Sequence, residues 1–107
     1  MGNRIEQAAE ALRQAAAMFL AQESNRTSLI TVTRAVVADT LKKATIFMTV
    51  LPEKEEASAL SFVKRKRGVF RSYLRKKLQL RPLPFIDFEI DRGEKMRQRL
   101  DELGLQK

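Results

Sequence analysis

The chain has 107 residues, a formal net charge of +8 and neither cysteine nor histidine. A chain this long holds one modest core; without cysteine it has no disulfide framework or thiolate metal site, and without histidine it lacks the commonest metal ligand and general base. No apolar run approaches the roughly 18 residues that span a bilayer, and the start shows no charged-then-apolar leader pattern, so a single domain over residues 1–107 of a cytoplasmic, soluble protein is expected.

Residues 5–23 read as an amphipathic helix. Ile5, Ala8, Ala9, Leu12, Ala15, Ala16, Phe19 and Leu20 recur at i, i+3, i+4 and i+7, with Glu6, Glu10, Arg13 and Gln14 opposite. So many alanines suit close packing on a flat surface such as a sheet. Ser24, Asn25 and Arg26 end the helix in a polar loop. Residues 29–37 and 44–51 are rich in threonine and β-branched side chains and form a hairpin turned by residues 38–43. In the second strand Ala44, Ile46, Met48 and Val50 belong to the core, and Thr45, Phe47, Thr49 and Leu51 to a partly covered or exposed outer face. Pro52 stops that strand. Glu53, Glu55 and Glu56 then suit the positive end of a helix running to about Lys66, with Ala57, Leu60 and Val63 inward.

Residues 63–81 carry the charge. Lys64, Arg65, Lys66, Arg67, Arg71, Arg75, Lys76, Lys77 and Arg81 are nine basic residues, no acidic one lies between Glu56 and Asp87, and the rest of the chain sums to −1. A local positive field of that kind captures polyanions. Val63, Phe70, Leu74 and Leu78 thread one apolar stripe through it, with Val69 and Tyr73 alongside. Gly68 interrupts the helix at a cost of roughly 1 kcal/mol against alanine, so two helices joined at a sharp kink there are expected. These nine side chains and Gly68 are the candidate RNA-binding residues. One helix pair cannot turn all of them to one ligand, and about four to six phosphate contacts are expected.

The second helix of the pair runs to about Leu80, where Arg81, Pro82, Leu83 and Pro84 break it. Residues 85–91 alternate as a half-buried strand, Ile86, Phe88 and Ile90 inward and Asp87, Glu89 and Asp91 outward. A short helix over residues 93–103 closes the order, with Met96, Leu100 and Leu103 as its apolar side. The hairpin makes the first two strands antiparallel, and the helix pair is a right-handed crossover between two parallel strands. The fold class is therefore α+β: helices on one face of a three-stranded mixed sheet in a two-layer domain.

Three segments then resemble the bacterial ribosome-binding factor A family: the hairpin ITVTRAVVADTLKKATIFMTVL, the helix pair around RGVFRSYLRKKLQLR, and the proline-led strand LRPLPFIDFEID. Their order and spacing cover roughly residues 4–91. The resemblance implies a type II KH-like fold and binding to 16S ribosomal RNA of the immature 30S subunit near the decoding region, in aid of its maturation and rRNA processing. It also implies an Ala-x-Gly kink in place of the GxxG loop of ordinary KH domains. The matching tripeptide is Lys66-Arg67-Gly68, in which Lys66 replaces the alanine. A lysine there works against the closest helix approach and offers a phosphate contact. The link from Asp91 to the last helix is shorter than the family's usual one.

No nucleophile–base pair or metal cluster presents itself, so no enzyme activity, cofactor or small-molecule substrate is expected, and the partner is rRNA, met by a monomer. Asp87, Glu89 and Asp91 read as the solvated face of a strand, and Thr31, Thr33, Thr45 and Thr49 as strand formers. Among the aromatic residues, only Phe47 falls on an outer face, where it is a possible contact. Two alternatives stand beside ribosomal RNA. One is a general KH-like RNA-binding or acidic-protein-binding module not tied to the ribosome. The other is a DNA-binding helix pair, disfavoured because the pair lies between strands with no wing.

Overall fold

The computed structural model describes residues 4–23, 27–78 and 82–104. Along the chain lie α1 (Arg4–Glu23), β1 (Leu29–Val37), β2 (Lys43–Leu51), a 3-10 turn (Glu53–Glu55), α2 (Glu56–Arg65), α3 (Arg67–Lys77), β3 (Phe85–Ile90) and α4 (Arg92–Glu102). The sheet runs β1-β2-β3. β1 is antiparallel to β2, Leu29 opposite Leu51 and Val37 opposite Ala44, with a bulge between Val32 and Arg34. β3 is parallel to β2, with Ala44 opposite Ile86 and Ile46 opposite Phe88. This is the α+β, type II KH-like topology that the sequence implies, with the helix pair as the crossover between the parallel strands.

Period-two burial fixes which face the helices cover. Ala44, Ile46, Met48 and Val50 of β2 and Ile86 and Phe88 of β3 join Phe70 and Leu74 of α3 in one core, as their alternation requires. From α1 this core takes Ala8, Leu12, Ala15, Ala16, Phe19 and Leu20. Alanine at three of those six positions keeps the helix backbone close to the sheet.

Several expectations need correcting. α2 packs through Ala59 and Val63, while Ala57 is exposed and Leu60 only half-buried. Ala59 and Val63 stand four residues apart on one helix face, and Ala57 falls off it. Thr49, expected on the outer face, is buried. α3 ends at Lys77, and Leu78 is already extended, at φ −121° and ψ 155°; residues 79–81, including the predicted end at Leu80, and the loop at residues 24–26 lie outside the described residues. Met96, Leu100 and Leu103 of α4 are all exposed. That helix meets the rest of the domain through ion pairs instead. Lys95 Nζ lies 2.7 Å from Glu53 and 2.9 Å from Glu56, and Arg99 lies 3.3 Å from Glu53.

The helix break is at Lys66, two residues before the glycine. Its amide donates to the carbonyls of Phe62 (3.2 Å) and Val63 (3.1 Å) to finish α2, and its own carbonyl accepts from the Phe70 amide (2.9 Å) to begin α3. Its ψ of 6° is far from the roughly −42° of a continuing helix, so one residue redirects the chain. Gly68 is an exposed residue in the first turn of α3, outside the left-handed region, and an added Cβ would meet nothing within 4 Å.

Asp91 is likewise no solvated strand residue. It is buried and caps α4, its Oδ1 accepting from the Glu94 amide at 3.0 Å, while its Oδ2 takes Thr33 Oγ1 at 2.5 Å and Arg34 Nε at 3.2 Å. Burial raises its pKa, but the hydrogen bonds from Thr33, the Glu94 amide and Arg34 outweigh that and hold the carboxyl below the usual aspartate range.

Phe88→Ala should cost about 3–5 kcal/mol in urea unfolding; a loss under about 1 kcal/mol would contradict its place under the helices. Gly68→Ala should stabilise by a few tenths to about 1 kcal/mol, because the site is ordinary helix; a destabilised variant would contradict the break at Lys66. For Asp91, a depressed folded pKa means its stabilisation is complete above the unfolded value near 4 and is lost as pH falls through the lower folded value. The stability gap between wild type and Asp91→Asn, measured by urea unfolding, should therefore close as pH falls below about 4.

Candidate nucleic-acid interface

Two apolar anchors decide how the basic run is displayed. Val63 near the end of α2 and Phe70 in α3 are both fully buried, and between them the chain makes its break. Phe70 is gripped from two sides, with ring centroids 5.0 Å from Phe19 of α1 and 5.8 Å from Phe88 of β3. Tyr73 lies 5.3 Å from Phe19 and completes the seam between α1 and α3. The residues flanking these anchors have no room inward and turn out.

They turn out in three directions. Lys64, Arg67 and Arg71 line the side facing β3. Lys64 Nζ and Arg67 Nη1 lie 3.6 Å and 3.1 Å from Asp87 Oδ1, Arg67 also sits over the Phe85 ring at 5.3 Å, and Arg71 Nη1 donates to the Pro84 carbonyl at 2.7 Å. Lys66 and Lys77 lie toward α1. Lys66 Nζ is 3.4 Å from Glu23 Oε1, and Lys77 Nζ is 5.7 Å from the centre of the Tyr73 ring, which itself packs on Phe19. Arg65, Arg75 and Lys76 are exposed, with Arg65 bonded to Ser61 Oγ at 2.9 Å. Gly68 contributes no group that holds phosphate beyond its backbone, and Arg81 lies outside the described residues.

An open, shallow surface of about 570 Å³ along α2 is lined by Ala57, Leu60, Ser61, Lys64, Arg65 and Arg67. Cations beside apolar side chains match single-stranded nucleic acid, whose phosphates need charge and whose unstacked bases need apolar surface. The arginines and lysines at the ends of α2 and α3 also sit where the helix dipole favours positive charge: Lys64 and Arg65 in the last turn of α2, and Arg75, Lys76 and Lys77 in that of α3.

Three features escaped the sequence reading. Asp87 and Glu23 reach the basic run through the fold, although the run itself holds no acid. Arg34 lies 4.0 Å over the Phe47 ring while bonded to Asp91, so Phe47 on the outer face is half-covered by a cation. The cap at Asp91 did carry a signal, since an Asp followed three residues later by Glu94 is a helix-start pattern. Among the described residues no group of three or more acidic side chains is placed to hold a metal ion.

Residues 4–104 match the family profile described as Ribosome-binding factor A. The protein of that name from Desulfitobacterium hafniense strain DCB-2 is 34% identical over 92 residues, which is 83% of this chain and 74% of that one. The crystal structure of ribosome-binding factor A from Thermus thermophilus superposes with a TM-score of 0.73 at 18% identity, covering 82% of this chain and 97% of that one. A homology model of the Thermus thermophilus factor, fitted into an electron cryomicroscopy map of its 30S complex, superposes with a TM-score of 0.69 at 20% identity, over 78% of this chain and 91% of that one. At those identities the two structures speak for the fold.

Proposed function

The chain belongs to the ribosome-binding factor A family, and from that premise we propose that it binds 16S rRNA of the 30S subunit and assists the maturation of that subunit and the processing of its rRNA. It does so as a monomeric, single-domain binding factor of the cytoplasm, without catalysis. RNA is held by the α2–α3 pair, chiefly through phosphate contacts from Lys64, Arg67 and Arg71, with Arg65, Lys66, Arg75, Lys76, Lys77 and Arg81 as the surrounding field.

One observation carries this reading: Lys64 and Arg67 meet at Asp87 on the β3 side of the helix break, and Arg71 reaches the Pro84 carbonyl on the same side. Three neighbouring cations there, on a helix pair with no acid of its own beyond Glu56, distinguish a binding patch from a solvated face of mixed sign. Arg67 and Arg71 stand one helical turn apart, spaced as neighbours on one surface. No helix among the described residues is long and apolar enough to cross a membrane. The fitted complex of the Thermus thermophilus relative is consistent with a small-subunit partner.

Replacing Arg67 and Arg71 together by glutamate should abolish co-sedimentation with 30S subunits. A glutamate beside Asp87 adds local repulsion, so the Arg67→Gln/Arg71→Gln pair is the cleaner variant and should weaken association at least tenfold with an unchanged circular dichroism spectrum. Arg13→Gln/Arg97→Gln, at basic residues elsewhere on the molecule, changes the net charge equally and should leave binding nearly intact. Affinity for single-stranded RNA should fall with salt at a log–log slope of about −3 to −4, at ~0.7 per phosphate for four to six contacts. Normal sedimentation of the double glutamine variant would remove α2–α3 as the RNA-binding element.

A further inference from the structure

Three cations of the basic run already hold a carboxylate, and both carboxylates come from outside it. Asp87 on the edge strand β3 lies 3.6 Å from Lys64 and 3.1 Å from Arg67. Glu23, the last residue of α1, lies 3.4 Å from Lys66. The two acids thus take opposite sides of the helix junction. Neither pair is sealed: the acids are 27% and 33% exposed, and the three cations between 34% and 40%. Half-open ion pairs of this kind add little to stability. Their effect falls on whatever else approaches those cations.

The acid and its cations are not equally free to move. Asp87 Oδ1 also accepts the Phe88 amide at 2.8 Å, which fixes the carboxylate against the edge of the sheet. Lys64 and Arg67 sit on long flexible stems. A phosphate arriving at Lys64 and Arg67 must therefore draw them off Asp87 or bind beside a like charge that stays in place. Arg75 and Lys76, exposed and without a carboxylate partner among the described residues, remain available for first encounter.

We propose that Asp87 and Glu23 are built-in counter-ions that hold the patch in check: RNA binding is an exchange of carboxylate for phosphate at Lys64, Arg67 and Lys66. An RNA that reaches those three cations must offset the loss of the acids, so removing the acids strengthens its binding. The inference rests on the reading of α2–α3 as the RNA-binding element and adds what bound RNA displaces there.

The test uses Asp87→Asn, which keeps the acceptor for the Phe88 amide, and Glu23→Gln, singly and combined, in the full chain. Each is titrated with poly(U) and with 30S subunits. A like charge removed about 6 Å from a bound phosphate is worth roughly a three- to tenfold gain at low salt. Poly(U) affinity should therefore rise by up to about that factor in each single variant and by up to the product of the two in the combined one, its salt slope steepening by up to about 0.7 per acid removed. Affinity for 30S subunits should rise by at least as much, because its phosphates take the places of the acids. Unchanged or weaker 30S binding would overturn the proposal, and so would a gain on poly(U) with none on 30S subunits. Arg67→Gln/Arg71→Gln is run in parallel. If it loses affinity while the acid variants are silent, only the counter-ion inference fails; if it loses none, the RNA-binding reading itself has failed.

Discussion

The geometry of the basic surface depends on the burial of Phe70. That ring is the point where α1, α3 and β3 meet, through Phe19, Tyr73 and Phe88. It sits three residues after Arg67 and one before Arg71, so fixing its place fixes where both guanidiniums emerge. Aromatic side chains bury large areas and tilted ring pairs add to that, which makes Phe70 a firm pivot for a helix otherwise dominated by charge. The break at Lys66 serves the same end. It lets Val63 and Phe70 reach one core from two helix directions, and the four cations between them have only the surface left.

Charge in this molecule is arranged on two scales. Along the chain the basic run is unbroken by acids; in the fold, Asp87 and Glu23 are delivered to it by β3 and α1. A net charge of +8 gives long-range attraction that salt screens within about 10 Å. Contacts at 3–4 Å then decide what stays bound. Elsewhere the signs reverse, and Glu53 and Glu56 pair with Lys95 and Arg99 of α4, a helix without a buried apolar residue.

Much of this was legible in the sequence. The eight core residues from β2, β3 and α3 followed from period-two and period-four spacing, and the parallel pairing of β2 with β3 followed from the crossover rule. The break was legible in kind but misplaced, because Gly68 is a local signal while the turn at Lys66 is imposed by two anchors seven residues apart. The exposed row on α4 could not be foreseen, since helical spacing of Met96, Leu100 and Leu103 does not say whether anything lies opposite. The reach of Asp87 to Lys64 and Arg67 spans 23 and 20 residues of sequence, and only the crossover brings them together. Arg34 on Phe47 depends in the same way on the bulge in β1.

The central claim is that the helix pair on the β3 side of the break, and not the open face of the sheet or α4, meets ribosomal RNA. Ultraviolet cross-linking of the protein bound to 30S subunits, with RNA-linked peptides identified by mass spectrometry, asks this directly. Links should concentrate in residues 63–77, at Lys64, Arg67 and Arg71 above all. Links confined to Arg34, Phe47 and their neighbours on the outer face of β1 and β2, or to α4, with none in α2 or α3, would contradict it.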